Sequence, residues 1–217
     1  MNSETVKRYL NGLKQDNIEW INHLEKEAKE HHVPIMDSIS IDILKQIIRL
    51  HQPNSILEIG TAIGYSALQM VQAKEDIKVV SIERNEEMFT RAQKNMEKYD
   101  TNNCVKLIYG DALEVADKID ELGSFDLIFI DAAKGKYRDF FELYQSFLSE
   151  NGVILTDNVL FRGYAINQEL APKRLKKLAE KIDLYNKWLI DNKNYHTTII
   201  PVGDGIAISL KKNKGDN

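Results

Sequence analysis

The chain has 217 residues, 43% of them hydrophobic and 29% charged, and a formal net charge of −4. That length suits one domain with a substantial core, and the net negative charge by itself argues weakly against a nucleic-acid partner. The single cysteine, Cys104, excludes an intrachain disulfide. No apolar run approaches the ~18 residues of a membrane span and MNSETVKRYL lacks a signal-peptide stretch, so a cytoplasmic protein with no membrane contact is expected.

Residues 3–31 carry apolar side chains at helical spacing (Tyr9, Leu13, Ile18, Ile21, Leu24, Ala28), which predicts one or two amphipathic helices. Pro34 interrupts the pattern, and Asp37 or Ser38 can cap a helix running to about His51. Strands and helices then alternate: strand 55–59, helix 64–74; strand 77–83, helix 86–99; strand 104–109, helix 112–121; strand 125–131, helix 136–149; strand 152–157. Such alternation predicts a parallel sheet with helices on both faces. A helix over 170–192 precedes YHTTIIPV and GIAISLKK, which meet at Gly203-Asp204-Gly205 and read as an antiparallel hairpin on the sheet edge. The expected organisation is one domain over 1–217: a helical cap to residue 51, a doubly wound, mostly parallel seven-stranded α/β core over 52–211, and a polar tail from 212.

The segment ILEIGTAIGYSA, residues 56–67, ends a strand near Glu58, and Gly60 and Gly64 bracket a tight turn before a helix at Tyr65 and Ser66. Glycines there let a nucleoside ligand approach the backbone. IKVVSIE then delivers Glu83, placed as an acid that holds ribose hydroxyls in such sheets, about 20 residues after the turn. The Gly-x-x-x-Gly spacing is not that of dinucleotide folds. Glu58 beside the turn would repel a pyrophosphate but suits a ligand with an amino group and a sulfonium, which points to S-adenosylmethionine rather than NAD.

Ligands of open α/β sheets sit at the carboxyl ends of the strands, and five successive strands here run into acids: Glu58, Glu83, Asp111, Asp131 and Asp157-Asn158. Any one could cap a turn; together they read as a site. Lys134 follows Asp131 in FDLIFIDAAKGKY, although a lysine after a strand is often merely solvent-facing. Asp131, Asp157 and Asn158 offer oxygen ligands suited to Mg²⁺ or Ca²⁺. Zinc would need Cys or His, and the five histidines show no metal spacing. Residues 161–217 hold eleven Lys and Arg against six Asp and Glu, a balance of +5, whereas residues 1–160 carry −9. This asymmetry can mark a polyanion-binding face; from charge alone, a solvated basic helix accounts for it slightly better.

ILEIGTAIGYSA, SIERN, GDALE, FIDAAKGKY and LTDNVL, in this order, resemble the metal-dependent, catechol O-methyltransferase-like S-adenosylmethionine enzymes, over roughly residues 30–210. HHVPIMD, TDNVLFRG and IIPVGDGIAIS narrow the resemblance to the bacterial tRNA 5-hydroxyuridine methyltransferases, which make 5-methoxyuridine at the wobble position. The resemblance implies a class I methyltransferase (Rossmann-like) fold and a homodimer, with the N-terminal helices as a plausible interface. It places Met36 by the cofactor, Glu58, Gly60 and Ser66 around the methionine moiety, Glu83 on the ribose, and Asp111 and Ala112 near the adenine. Asp131, Asp157 and Asn158 would hold Mg²⁺, with Asp131 also beside the cofactor, and Lys134 would stand by the reacting hydroxyl.

A catechol chelates a cation through two neighbouring oxygens, and 5-hydroxyuridine does so through its 5-hydroxyl and 4-carbonyl, so the metal set alone does not choose between them. Lys173, Arg174, Lys176, Lys177 and Lys181 follow the loop at 159–168, and Lys134, Lys136 and Arg138 are expected at the crevice rim, which tilts the expectation towards the anticodon loop of tRNA. The rivals are a small-phenol O-methyltransferase, which would methylate free catechols without RNA, and an NAD oxidoreductase, which would bind NAD and not S-adenosylmethionine. A non-catalytic RNA-binding module would have no use for the metal set.

Overall fold

The computed structural model describes residues 3–14 and 17–212. Helices α1 (Ser3–Gly12), α2 (Glu19–Glu30) and α3 (Ser38–His51) precede the sheet, and Asp37 caps α3 as its sequence predicts, accepting N–H bonds from Ile39 at 3.0 Å and Ser40 at 3.4 Å. There follow β1 (Ser55–Ile59), α4 (Tyr65–Ala73), β2 (Lys78–Glu83), α5 (Glu86–Tyr99), β3 (Val105–Tyr109), α6 (Ala116–Asp120) and β4 (Phe125–Ile130). The chain continues through α7 (Tyr137–Tyr144), β5 (Leu148–Thr156), α8 (Lys176–Asp191), β6 (Tyr195–Ile200) and β7 (Ile206–Lys211).

The strands form one seven-stranded sheet in the order β3-β2-β1-β4-β5-β7-β6, with β7 antiparallel to both of its neighbours. The central strands are buried on both faces, hence their continuous apolar runs. Ile41, Leu44, Ile48, Leu68 and Met70 pack against Ile56, Val79, Leu127 and Val153 on one face. Ile119, Phe141, Tyr144 and Leu189 pack against Leu57, Val80, Ile128 and Ile154 on the other. Strand order reverses between β1 and β4, which opens a crevice at their carboxyl ends.

Three boundaries differ from expectation. The helix expected over 112–121 is only Ala116–Asp120, because the Asp111 carboxylate takes the Leu113 N–H at 2.9 Å and its carbonyl takes that of Glu114, closing a turn first. The helix expected over 136–149 gives way at Tyr144 to a 3-10 turn and to a nine-residue β5, which bulges against β4. The helix expected over 170–192 begins only at Lys176, since Pro172 opens a 3-10 turn first. Lys212, assigned to the tail, still donates its N–H to the Asn194 carbonyl at 2.9 Å; the tail expected beyond it lies outside the described residues.

Candidate active site

A cavity of about 1140 Å³ opens at the carboxyl ends of β1, β2, β4 and β5. One side is formed by Gly60–Ala62, Ser66, Glu83 and Asp111-Ala112; the other by Met36-Asp37, Asp131–Lys134, Asp157-Asn158 and the Pro201–Asp204 turn. The fold thus gathers the residues expected around the cofactor and metal, Glu58 excepted, from segments up to about 120 residues apart in the chain.

Gly60 is required sterically. Its φ is +104°, and a Cβ there would fall on the Asp131 carbonyl, with the Asp131 carbonyl carbon 2.8 Å away. The ends of β1 and β4 therefore touch through this glycine. Glu83 is held rigidly: Oε2 accepts the Ala62 N–H at 2.8 Å and Oε1 the Asn85 N–H at 2.7 Å. Each oxygen keeps a free lone pair, so the carboxylate can also accept from a vicinal diol.

Glu58 corrects the expectation drawn from sequence. Its side chain is fully buried and is not on the cavity wall; Ser66 donates to one carboxylate oxygen and Ser81 to the other. The alternation along β1 turns it onto the sheet face covered by α4, where it fixes Ser66, which does face the cavity. Burial pushes its carboxyl up from 4.5 to about 7 against the pull of the two serines.

Asp131, Asp157 and Asn158 meet as expected. The Asn158 amide donates to Asp131 Oδ1 at 3.2 Å and to Asp157 Oδ2 at 2.8 Å. Asp157 is 3% exposed, and its Oδ1 is buried with no hydrogen-bond partner. An orphaned buried carboxylate oxygen costs about 1–3 kcal/mol. Burial, with Asp131 alongside, pushes the Asp157 carboxyl up; burial raises Asp131 as well, and Lys134 pulls both back. A divalent cation would satisfy the orphan oxygen and the crowded acids, and the oxygen-only donor set fits Mg²⁺.

The backbone around this set is gripped from outside. Asn158 has a left-handed φ of +62°, a strained value for a residue with a side chain. Tyr137 of α7 donates its hydroxyl to the Asp157 carbonyl at 2.9 Å. Tyr185 and Asn186 of α8 bond the Thr156 hydroxyl at 2.8 Å and the Val159 carbonyl at 2.7 Å. In sequence these tyrosines are indistinguishable from packing aromatics.

The basic residues divide. Lys134 lines the cavity and makes no ion pair among the described residues. Lys136 lines it too, but its amine is paired with Asp139 at 2.9 Å. Arg138, expected at the rim, is not there: one residue past buried Tyr137 the helix turns it outward, onto Glu142 at 2.9 Å and over the Trp188 ring. Lys173, Arg174, Lys176, Lys177 and Lys181 are exposed, outside the cavity and without ion pairs among the described residues. Helix α8, which carries the last three of them, adjoins the rim, since a Cβ on Gly135 would lie 3.5 Å from Leu178. Sequence reading missed Ser81, Tyr137, Arg162 and Asp204, and took Asp37 only as a helix cap; of the missed residues only Asp204, beside turn glycines, carried any local signal.

The O-methyltransferase family model matches residues 13–212. A caffeoyl-CoA O-methyltransferase of Medicago sativa is 30% identical over 172 residues, 76% of this chain and 70% of that protein. A Staphylococcus aureus structure provisionally named a caffeoyl-CoA O-methyltransferase superposes with a TM-score of 0.87 at 37% identity, covering 97% of this chain and 99% of the other. The S-adenosylhomocysteine-bound methyltransferase PaMTH1 of Podospora anserina gives 0.86 at 26% identity, over 98% and 97%. No described helix is long and apolar enough to cross a membrane. With this match and this sheet, the chain belongs to the O-methyltransferase family, as an S-adenosylmethionine-dependent enzyme of the caffeoyl-CoA O-methyltransferase-like type.

Proposed function

We propose that the enzyme is a Mg²⁺-dependent methyltransferase that converts 5-hydroxyuridine at the tRNA wobble position to 5-methoxyuridine, working as a cytoplasmic homodimer. The carrying observation is the run of cations without ion pairs among the described residues beside the cavity: Lys134 within it, Lys173 and Arg174 on the 3-10 turn before α8, and Lys176, Lys177 and Lys181 on α8, in a chain of net charge −4. A phosphodiester backbone offers the matching charge, and an anticodon loop is already single-stranded. Tyr9 and Leu13 of the N-terminal segment are exposed and would be covered in the dimer.

Glu83 would hold the ribose of the cofactor, Asp111 and Ala112 would lie near its adenine, and Gly60, Ser66 and Met36 would surround its methionine end. Asp131, Asp157 and Asn158 would hold the metal. When bound, Mg²⁺ supplies charge that favours ionisation of the acceptor hydroxyl, and S-adenosylmethionine supplies the methyl group. Lys134 would stand beside the acceptor hydroxyl, where its ammonium favours the ionised oxygen while the proton leaves to solvent, and the cavity walls would align acceptor and donor. A coenzyme A thioester or another small phenol is the second reading, favoured by the names of the relatives.

The test is methyl transfer from labelled S-adenosylmethionine to tRNA taken from cells lacking the protein, beside parallel reactions with catechol and caffeoyl-CoA. Label in the wobble uridine, lost with EDTA, is the expected result; label only in the phenols refutes the RNA substrate. Asp157→Ala should abolish turnover and leave cofactor binding within a few-fold. Unchanged turnover would remove the metal.

A further inference from the structure

Phe161, Arg162 and Gly163 are three consecutive residues with left-handed backbone, at φ of +48°, +56° and +79°. Only the glycine adopts this freely; side-chain-bearing residues hold it where the surroundings force them to, and such outliers cluster at working sites. The force here is visible. The β6–β7 turn stitches the loop down: Val159 and Leu160 donate their N–H groups to the Gly205 and Asp204 carbonyls at 3.0 and 2.8 Å. The Asp204 carboxylate takes the Arg162 N–H.

All of these bonds use backbone N–H groups, and the one at residue 162 would be made by any residue there, by glycine with less strain. What the arginine adds is its guanidinium. It is exposed, lines the cavity, and makes no ion pair or side-chain hydrogen bond among the described residues. Lys134, the other unpaired cation of the cavity, acts on the same Asp204 carboxylate, which puts both cations around one turn.

We propose that Arg162 clamps a phosphate flanking the methyl-acceptor ring. A nucleotide base can enter the cavity, but its phosphodiesters must stay at the mouth, where a planar, always-charged fork suits a phosphate. This rests on the RNA reading above. A coenzyme A thioester carries the same chemical group, so the test separates the two sources.

The variants are Arg162→Gly, which keeps the backbone and drops the charge, and Arg162→Lys, which keeps the charge and drops the fork. Binding of an anticodon stem-loop containing 5-hydroxyuridine to the S-adenosylhomocysteine-loaded enzyme is measured by anisotropy across a salt series. Methyl transfer to the stem-loop is compared with transfer to free 5-hydroxyuridine. Arg162→Gly should bind the stem-loop about tenfold more weakly, with a log–log salt slope shallower by about 0.7. Its preference for stem-loop over nucleoside should fall about tenfold, its melting point should not drop, and Arg162→Lys should recover part of the binding.

Wild-type affinity and salt slope in Arg162→Gly overturn the clamp while the RNA reading stands. Failure of the wild-type enzyme to bind or methylate the stem-loop overturns the RNA reading and this assignment with it. A loss confined to caffeoyl-CoA, relative to free caffeate, overturns the phosphodiester as the source.

Discussion

Glu58→Gln isolates the cost of the buried carboxylate beneath the cofactor turn. Glutamine is nearly isosteric: its oxygen can accept from Ser66 and its amide can donate to Ser81, whose hydroxyl also pairs with Thr61. Only the charge is removed. Burial raises the Glu58 carboxyl from 4.5 to about 7, so the folded protein holds this proton longer than the unfolded chain does. The stability associated with the proton is full below pH 4.5 and is lost as pH rises through 7. At 1.36 kcal/mol per unit of pKa difference, integration from pH 5 to 8 gives a loss of roughly 2–3 kcal/mol that the glutamine variant escapes. Urea unfolding of both cofactor-free proteins at pH 5 and pH 8 measures it. The wild-type enzyme should lose about 2–3 kcal/mol more than the variant over that interval. Parallel profiles would mean that Glu58 titrates normally, and the account of the network as a desolvated acid held by two serines would fail.

Gly60→Ala should cost roughly 2–6 kcal/mol, the sum of left-handed strain and overpacking against the Asp131 carbonyl, and weaken S-adenosylmethionine binding; a near-normal melting point with intact titration calorimetry would contradict the contact. Tyr137→Phe leaves the Asp157 carbonyl without its side-chain donor and should lower stability by about 1–3 kcal/mol, while Mn²⁺ affinity, read by electron paramagnetic resonance, falls about tenfold. Unchanged Mn²⁺ affinity would make that tyrosine mere packing. Replacing Lys173, Arg174, Lys176 and Lys177 by Ser together should raise the KM for tRNA and flatten its salt dependence, with kcat little changed; an unchanged KM would put the RNA elsewhere.

The alternation of apolar strands with amphipathic helices made the sheet, its edge hairpin and the crevice legible, because a strand buried on both faces and a helix buried on one leave different periods in the chain. The residues at the strand ends were equally legible: Asp131, Asp157, Asn158 and Glu83 lie where the pattern put them. Glu58 was misjudged because one step along a strand exchanges cavity for core, and the exact end of β1 decides which. Arg138 was misjudged for the helical counterpart of that reason: one residue rotates a side chain about 100°. The grip of Tyr137, Tyr185 and Asn186 on the loop after β5 was invisible, since nothing local distinguishes a tyrosine that packs from one that also donates. Arg162 was invisible too, because its left-handed backbone is imposed by a turn about 40 residues later in the chain.

The seating of the final hairpin has a consequence for the birth of the enzyme. Strand β7 lies between β5 and β6, and the turn before it walls the cavity, presses Gly203 against Asp37 and Ser40, and pins the loop after Asn158. During synthesis, β5 therefore waits with a bare edge, and the loop after Asn158 waits unpinned, until residues 201–211 have emerged. A nascent chain can build the Gly60–Glu83 part of the crevice early, but the part around Asn158 and Arg162 is assembled last. Exposed edges of that kind recruit other strands, so a ribosome stalled within this stretch should yield an inactive, aggregation-prone polypeptide rather than a slightly shortened enzyme.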